Sequence, residues 1–600
     1  MKYRLAHSGM QVDLEFSPDA LRRRYREENT KRAGTTSPKR THALEDNDPW
    51  STPTPRQPFN REVDILVIGA GFAGLTLGAK LHKAGLEDFL IVDQAGDFGG
   101  TWYWNRYPRA QCDVEAYVYY PLLEETGYVP SSRFPMAHET FDYCQHMARF
   151  FGLYDRAVFH TGATRAVWDD AAQVWTVSTN RGDTIRARVV IRSNGGFGAP
   201  VTPAIEGIET FPGKIFHSSR WDYGYTGGSP EDPTLSKLHD KVVAVVGSGA
   251  SAVQIIPAVA GQARHTYAIQ RTPGPAIGNR DTTPTDPAWW SALPKGWQKA
   301  RMQNFDANTS GLLQDEDMVD DHFTGYVKRL VTACDIVPDL AQVDAADRPE
   351  VFELQDMALM EDIRAVIDAT VTDPTTAEKL KPWYKHRCKR VTYDDGYFAA
   401  FNRKDVTLID APVGGLERIE GNRLHAGGKV IEADCIILAT GYDTTRDPLS
   451  RTGLEVIAAD GETLSEHHAN GLRTLHGALS DNFPNMFQIG TSQIALSHSN
   501  TSGILTQAEH IVDIICETRR RGATSVVPTA EATAAWAAQV KEKGAPLRAA
   551  FAQCVPGYYS GYEHGDGAFT SQIYGESIVA FRQLLEEWRA SGYEGLAFRR

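Results

Sequence analysis

The distribution of apolar and polar positions repeats once along the chain. From Val63 a largely apolar strand runs into a glycine-rich turn, an apolar-periodic helix and a second apolar strand, and the same succession returns at Val242. Largely apolar strands that alternate with helices are typical of a parallel sheet covered on both faces. The pattern therefore predicts an α/β fold with two Rossmann-like dinucleotide-binding domains.

Two further segments have helical patterns. The periodicity of residues 353–367 predicts helices in an insertion at about 285–385, within the second unit. In an N-terminal extension, Ser17 is suited to cap a helix, Pro18 suits its first position, and Leu21 and Tyr25 share a face. We expect this helix to lie across a neighbouring domain with its basic residues in solvent. The prolines of residues 48–58 predict an extended linker after it.

Composition narrows the class of protein. A chain of 600 residues is long enough for several domains, and its net charge of -14 is spread along the sequence, so nothing favours nucleic acid as a partner. The seven cysteines form no CxxC pair and no metal-type cluster, which fits a reducing cytoplasm. No apolar run approaches the roughly 18 residues of a membrane span. We expect a cytoplasmic enzyme without a metal or membrane partner, and its oligomeric state stays open, a monomer included.

The first glycine-rich turn predicts an FAD site. Gly69, Gly71 and Gly74 form the pattern GxGxxG between the first strand and its helix. The first two glycines let the backbone approach a pyrophosphate, which the amides at the helix N-terminus bind. The next strand ends in Asp93, 24 residues after Gly69, where an acid accepts hydrogen bonds from a ribose with free hydroxyls.

The second glycine-rich turn predicts a site for NADPH. It reads Gly247-Ser248-Gly249-Ala250-Ser251-Ala252, with alanine in the third glycine position. The strand after it ends in Arg271 and Thr272, and Arg271 again stands 24 residues after the first glycine of its turn. A guanidinium in the position that Asp93 takes in the first unit favours a 2′-phosphate, and so NADPH over NADH.

These two sites divide the chain into five predicted segments. They are an N-terminal extension and linker (1–60), the first part of the FAD-binding domain (61–210), the NADPH-binding domain with its helical insertion (211–395), the second part of the FAD-binding domain (396–525), and a C-terminal segment of helix and loop (526–600). In the last segment, the Tyr- and Gly-rich stretch Pro556–Gly567 is as compatible with a loop at the active site as with a surface loop.

Two longer motifs resemble those of a known family. Phe211, Gly213, His217, Trp221 and Asp222 match the pattern FxGxxxHxxxW(P/D). Residues 99–113 match the pattern [AG]GxWxxxx[FY]P[GM]xxxD except at Arg109. In these motifs, and over about residues 60 to 520, the chain resembles the type I Baeyer-Villiger monooxygenases. Its N-terminal extension and the segments Tyr120–Tyr128 and Leu293–Phe305 resemble the branch that contains cyclopentadecanone and polycyclic ketone monooxygenases.

The resemblance implies a reaction and the residues that carry it. It implies that NADPH reduces FAD, that dioxygen adds to the flavin as a C4a-peroxide, and that this peroxide attacks a ketone, expected to be large and cyclic or polycyclic, to give an ester or lactone. The family's catalytic arginine corresponds to Arg390 and the carboxylate that orients it to Asp113, and both are expected to contact the cofactors. A permanently charged guanidinium stabilises oxygen anions without surrendering a proton.

The resemblance also assigns supporting roles. Lys389 corresponds to a residue that approaches the 2′-phosphate beside Arg271 and Thr272. Along the flavin we expect Thr101, Trp102 and Tyr119. His217 and Trp221 fall in the connector between the domains, where we expect them to couple cofactor binding to domain rotation.

Three alternatives share some of these features. An N- or S-oxygenating flavin monooxygenase has both glycine turns, but Trp221 and Arg390 argue against it. A pyridine nucleotide-disulfide reductase needs a redox-active cysteine pair soon after the first turn, and Cys112 and Cys144 are 32 residues apart. A nucleotide-sensing scaffold without activity would have no need of Asp113 and Arg390.

Overall fold

The computed structural model describes residues 1–33, 40–41, 48–198, 200–278, 280, 282–394, 396–442, 453–555, 557, 559 and 572–600. Two sheets with central parallel strands dominate the fold, and in each of them one strand continues through a glycine turn into a helix. The predicted α/β class with two dinucleotide-binding units is therefore confirmed.

The first sheet has eight strands around the first glycine turn. Helix Phe72–Lys83 connects strand Asn60–Ile68 to the parallel strand Phe89–Val92, and the apolar residues 65–68 of the first strand and all of the second are buried. Across the sheet the order is Glu455–Ile457, Ala163–Asp169, Val174–Thr179, Thr184–Arg192, Asn60–Ile68, Phe89–Val92 and Ala157–Val158, with Met486–Gln488 also paired to Thr184–Arg192.

The second sheet consists of five parallel strands. Their order is Lys214–His217, Cys435–Leu438, Val242–Val246, His265–Gln270 and Val406–Asp410. Two of them, Val406–Asp410 and Cys435–Leu438, lie within the range 396–525 predicted for the first unit. The sheet pairing corrects that boundary, because the chain returns to the first sheet after residue 438 and not after 395. A short apolar strand such as Cys435–Leu438 fits either sheet, so its pattern cannot indicate which one it joins.

Small strand groups complete the sheet structure. Leu416–Glu420, Arg423–Ala426 and Lys429–Glu432 form an antiparallel sheet between the last two strands of the second unit. The paired short strands are Lys2–Arg4 with Gln11–Asp13, Arg40–Thr41 with Thr202–Pro203, Ala276–Ile277 with Thr392–Tyr393, and Ser525–Pro528 with Leu596–Arg599.

Between Ile277 and Thr392 the described secondary structure is helical, as predicted for the insertion at about 285–385. Its α-helices are Pro287–Ser291, Trp297–Thr309, His322–Thr332, Arg348–Thr370 and Pro374–Leu380. The longer helices elsewhere are Pro18–Ala33, Phe72–Lys83, Ala137–Phe150, Ala250–Val259, Asn500–Arg520, Ala530–Lys543, Ala545–Phe551 and Ile578–Ala590, and the shorter ones are Thr101–Trp104, Ala116–Tyr119, Leu123–Thr126, Tyr223–Thr226, Tyr397–Ala400 and Leu464–His467.

The N-terminal extension packs against this insertion. Its predicted helix spans Pro18–Ala33, and Leu21 shares an apolar cluster with Leu354. The Arg22 guanidinium lies 2.6 Å from the Glu353 carboxylate on the facing helix. The expectation that the basic residues lie in solvent is therefore wrong for Arg22, because a helix packed on an acidic neighbour directs its arginine to the interface.

One disulfide joins Cys388, directly before Lys389, to Cys554 in the C-terminal segment. No pair was expected from the sequence, because cysteines 166 positions apart carry no spacing signal. None of the helices in the described ranges is both long and apolar enough to cross a membrane.

Candidate active site

A single cavity brings together nearly all the predicted cofactor residues. Its volume is about 1740 Å³, larger than the roughly 300–1,000 Å³ of a typical pocket for one small ligand. The predicted residues that line it are Gly69, Gly71, Asp93, Thr101, Trp102, Asp113, Tyr119, Gly247, Ser248, Gly249, Ala250, Ser251, Arg271, Thr272, Lys389 and Arg390. Gly74 and Ala252 do not line it, because they lie inside the helices that follow the turns.

Close backbone contacts shape the first glycine turn. Gly69 has a φ of 115°, and a Cβ there would lie 2.8 Å from the carbonyl oxygen of Ser193. At Gly74 a Cβ would lie 1.9 Å from the carbonyl oxygen of Gly69. Only glycine fits either position, and the helix can therefore begin directly against the strand, with its free amides at the cavity.

Asp93 supports the same turn. Its carboxylate accepts hydrogen bonds from the backbone N–H of Ala70 at 2.5 Å and of Ala95 at 2.7 Å, and it also lines the cavity. Burial raises the pKa of Asp93, while the two amides act in the opposite direction. The glycine contacts, the helix amides and this acid together fit the pyrophosphate and ribose of a dinucleotide.

The second turn faces open space and a group of cations. A Cβ at Gly249 would have no neighbour within 4 Å, so this part of the turn borders room for a ligand. Burial, followed by the positive charges of Arg271 and Arg32, lowers the pKa of Lys389 to about 7. Cations that lie this close despite their repulsion fit an anionic group such as a 2′-phosphate.

Arg390 meets Asp113 in the cavity wall. The Arg390 Nη2 atom lies 2.9 Å from Asp113 Oδ2, half of the arginine side chain is exposed, and only 3% of the Asp113 side chain is exposed. Burial is the largest influence and acts against the charged guanidinium, but the Asp113 carboxylate together with Tyr559, Cys112 and Tyr119 raises the pKa of Arg390. The cation is therefore permanent and presented to the cavity.

A second arginine binds the other oxygen of the same carboxylate. Arg280 Nη2 donates to Asp113 Oδ1 at 2.7 Å, and only 6% of the Arg280 side chain is exposed. Arg280 lines a separate cavity of about 280 Å³ that adjoins Asp113. The sequence offered no signal for it, since Arg280 stands in a polar loop outside any motif.

Trp102 and Tyr119 belong to the short helices Thr101–Trp104 and Ala116–Tyr119, and Arg109 belongs to the segment between them. Trp102 Nε1 donates to the Tyr119 hydroxyl at 3.2 Å, and burial raises the pKa of Tyr119. Arg109, which replaces the glycine or methionine of the motif, has a φ of 63°, in the region that glycine adopts most easily. Its guanidinium donates to both oxygens of Asp394, at 3.1 and 3.0 Å, so this pairing offsets the backbone strain.

The FxGxxxHxxxW(P/D) residues lie outside the cavity lining, at the start of the second unit. Phe211 packs in the core of the second sheet, and a Cβ at Gly213 would lie 2.2 Å from the Asp434 carbonyl oxygen. Trp221 Nε1 donates to Thr226 Oγ1 at 3.1 Å, and Asp222 pairs with a lysine, Lys214, at 2.6 Å.

His217 is buried in the same connector. Its Nδ1 lies 2.8 Å from Ser219 Oγ, and its ring contacts that of Tyr442, which lines the cavity. Burial, followed by the charge of Arg220, lowers the pKa of His217 to about 3, so its ring is neutral at physiological pH. His217 therefore touches the cavity wall and not the cavity itself.

The C-terminal segment reaches the cavity as well. Of the stretch Pro556–Gly567 only Gly557 and Tyr559 fall within the described residues, and Tyr559 lines the cavity. The remainder of that stretch lies outside the described residues.

Known proteins match both the nucleotide-binding region and the whole chain. A family model described as pyridine nucleotide-disulphide oxidoreductase matches residues 66–307, which contain both glycine turns. A relative from Dietzia sp. (strain D5), Baeyer-Villiger monooxygenase 4, is 41% identical over 605 aligned positions that cover 100% of this chain and 98% of the relative. Cys112 and Cys144 are free thiols, so the disulfide-reductase alternative gains no support from the first unit.

Solved structures also match most of the chain. The polycyclic ketone monooxygenase from the thermophilic fungus Thermothelomyces thermophila matches with a TM-score of 0.88 and 32% identity, over 96% of this chain and 98% of that chain. An oxidized steroid monooxygenase bound to NADP matches with a TM-score of 0.71 and 27% identity, over 90% and 100% of the two chains. Since these matches span nearly the whole chain and the cavity fits both nucleotides, the protein belongs to the Baeyer-Villiger monooxygenases and works with FAD and NADPH.

Proposed function

We propose that the protein oxidises large cyclic or polycyclic ketones to lactones, with Arg390 as the catalytic cation. The observation that carries the proposal is the Arg390 guanidinium, bound to Asp113 and presented to a cavity that both nucleotide turns line. The bulky substrate class is supported by the names of two matched structures, a polycyclic ketone monooxygenase and a steroid monooxygenase.

The cofactors divide between the two units in this proposal. When bound, FAD supplies the activation of dioxygen with electrons from NADPH. Residues assigned to FAD are Gly69, Gly71, Gly74, Asp93, Thr101, Trp102 and Tyr119. Residues assigned to NADPH are Gly247, Ser248, Gly249, Ala250, Ser251, Ala252, Arg271, Thr272 and Lys389. Gly74 and Ala252 act indirectly, by letting their helices approach the turns.

Arg390 and Asp113 perform different tasks. Negative charge develops on oxygen as the ketone carbonyl is attacked, and a fixed guanidinium stabilises that charge without reorganisation. Asp113 holds the guanidinium in place and offsets the cost of keeping it partly out of water. Because the pKa of Arg390 is raised, it does not protonate the attacking oxygen.

The remaining assignments concern coupling and location. Phe211, Gly213, His217, Trp221 and Asp222 are assigned to the junction at which cofactor binding is coupled to movement of the second unit. We place the enzyme in the cytoplasm, a reducing compartment in which disulfides such as Cys388–Cys554 are rare.

The test is a substrate panel with the purified holoenzyme. NADPH oxidation, oxygen uptake and product mass should be measured with cyclohexanone, cyclopentadecanone, a steroid ketone and methyl phenyl sulfide. The proposal expects one oxygen atom to be added to the macrocyclic or steroid ketone, with one NADPH consumed per lactone. Preferential oxidation of cyclohexanone would overturn the substrate class, and oxidation of the sulfide alone would favour the S-oxygenating alternative.

A further inference from the structure

We infer that Arg280 is a positioning residue which acts through Asp113 and leaves the positive charge of Arg390 available to the cavity. The inference rests on the proposed function of Arg390. It concerns a side chain that belongs to neither motif and lies behind the cavity wall, so Arg280 itself has no contact with substrate in this arrangement.

The Arg280 guanidinium binds two side chains of the same loop. Its Nη1 donates to Gln111 Oε1 at 2.7 Å, and its Nη2 donates to Asp113 Oδ1 at 2.7 Å. The loop that carries both acceptors precedes the short helix Ala116–Tyr119. A planar guanidinium that binds two acceptors fixes the rotation of the Asp113 carboxylate, and therefore the direction in which Oδ2 holds Arg390.

Charge is the second part of the argument. With Asp113 and Arg390 alone, the local charges would cancel, and an anion in the cavity would meet a neutral pair. Arg280 adds a second guanidinium on the far oxygen, so the group of three carries a net charge of +1. That charge faces the cavity through Arg390, whose side chain is half exposed, while Arg280 is almost completely buried.

A second carboxylate bound by two arginines, Glu115, lies two residues after Asp113 and serves as a matched control. Glu115 is fully buried and is bound by Arg133 at 3.0 Å and by Arg301 at 2.5 Å. Like Asp113, it therefore joins two arginines, but neither Glu115 nor Arg301 lines the large cavity. Removing Arg301 should cost stability in the same way as removing Arg280, without changing the charge at the reacting atoms.

Other titratable groups surround the two arginines. Cys112, Tyr119 and Tyr559 face Arg390 from three different segments. Arg133, Asp320, Asp321, His322 and Tyr393 line the small cavity together with Arg280. Burial raises the pKa of Asp321 to about 6, so this carboxyl could contribute to a pH profile. An Asp321→Asn background removes that contribution, and asparagine keeps the helix cap that Asp321 provides.

The test compares Arg280→Met, Arg280→Lys and Arg301→Met in the full-length holoenzyme, with the panel ketone that gives the highest turnover. Three quantities are measured: lactone formed per NADPH, the pH dependence of lactone formation, and the thermal midpoint. A unit charge roughly 10 Å from an anion, at an effective dielectric constant of about 20, shifts the pKa of that anion's conjugate acid by about one unit. The acid limb of the pH profile is the range over which the reacting anion becomes protonated. Arg280→Met should therefore move the acid limb of lactone formation up by about one pH unit, with hydrogen peroxide replacing lactone at neutral pH.

The controls separate charge from structure. Arg280→Lys should return the acid limb towards its parental position, because the ammonium keeps the charge. Arg301→Met should lower the thermal midpoint but keep the parental acid limb and the parental coupling, which is the lactone formed per NADPH. If Arg280→Met does not fold, Arg280→Gln keeps a hydrogen bond without the charge and takes its place. A parental limb and parental coupling in the neutral variant, or the same shift in Arg280→Lys, would overturn the inference. Arg390→Ala is measured in parallel: if it alone abolishes the lactone, only the inference on Arg280 fails, and if it has no effect, the proposed function of Arg390 fails.

Discussion

Replacing Arg390 by alanine should stop lactone formation while the protein stays folded and keeps its flavin. The structure separates these two effects. After the replacement Asp113 still accepts from Arg280 at 2.7 Å, so no buried charge loses its last partner. The cost of about 3–5 kcal/mol for breaking a buried ion pair should therefore not appear, and the free energy of unfolding should fall by about 1 kcal/mol or less.

The rate effect should be much larger. A lost donor to a developing oxyanion typically costs about 2.7–4 kcal/mol, so lactone formation should slow about 100- to 1000-fold. The assay combines flavin absorbance, thermal unfolding, product analysis and hydrogen peroxide determination. Arg390→Lys keeps a charge but lacks the planar fork and can surrender a proton, so it should also lose most of the activity.

Asp113→Ala provides the contrast in stability. It leaves two guanidinium groups close together, one of them almost completely buried, and should lower the free energy of unfolding by about 3–5 kcal/mol. Parental lactone formation in both Arg390 variants would refute the assignment of Arg390. A loss of stability in Arg390→Ala as large as that in Asp113→Ala would refute the compensation by Arg280.

Three further predictions concern the two nucleotide sites. Arg271→Ala should raise KM for NADPH about 10- to 100-fold and leave KM for NADH nearly unchanged, as steady-state kinetics can check. Because the pKa of Lys389 is lowered to about 7, its charge is lost above that pH, so KM for NADPH should rise between pH 6 and 8, and Lys389→Met should flatten this profile. Gly74→Ala should abolish FAD binding, since its Cβ would meet a backbone oxygen at 1.9 Å, whereas Gly249→Ala should keep the fold and the flavin and weaken NADPH binding only.

Local patterns were sufficient to predict the two glycine turns and the residues that follow them. A turn such as Gly69–Gly74 is determined by contacts within one strand, one turn and one helix, and its spacing to Asp93 is a property of the same short segment. The assignment of Cys435–Leu438 could not be predicted in this way, because its partners in the sheet are strands at 214–217 and 242–246. The Cys388–Cys554 disulfide could not be predicted from local patterns either, since only the folded chain brings the two thiols together.

The predicted Asp113–Arg390 pair was incomplete for a related reason. Motif matching aligns residues that recur in a family pattern, and Arg280 belongs to no pattern that the sequence presents. Its position follows from strand Ala276–Ile277, which pairs with Thr392–Tyr393 and so places the loops that carry Arg280 and Arg390 on either side of one carboxylate. Long-range pairing of two very short strands therefore determines the charge of the site.

The loop 109–113 of the first unit contacts the second unit. Arg109 pairs with Asp394, the backbone oxygen of Gln111 accepts from Gln254 at 3.1 Å, and Asp113 binds both arginines, so three residues of this loop make polar contacts with the second unit. A movement of the second unit would change these contacts together, because Arg280, Arg390 and Asp394 all lie beside the paired strands Ala276–Ile277 and Thr392–Tyr393. The orientation of Arg390 in the cavity would then depend on where the second unit stands. In the proposed mechanism, one carboxylate would thus couple movement of the second unit to oxyanion stabilisation, and we expect Arg280 to influence the chemistry without contacting the substrate.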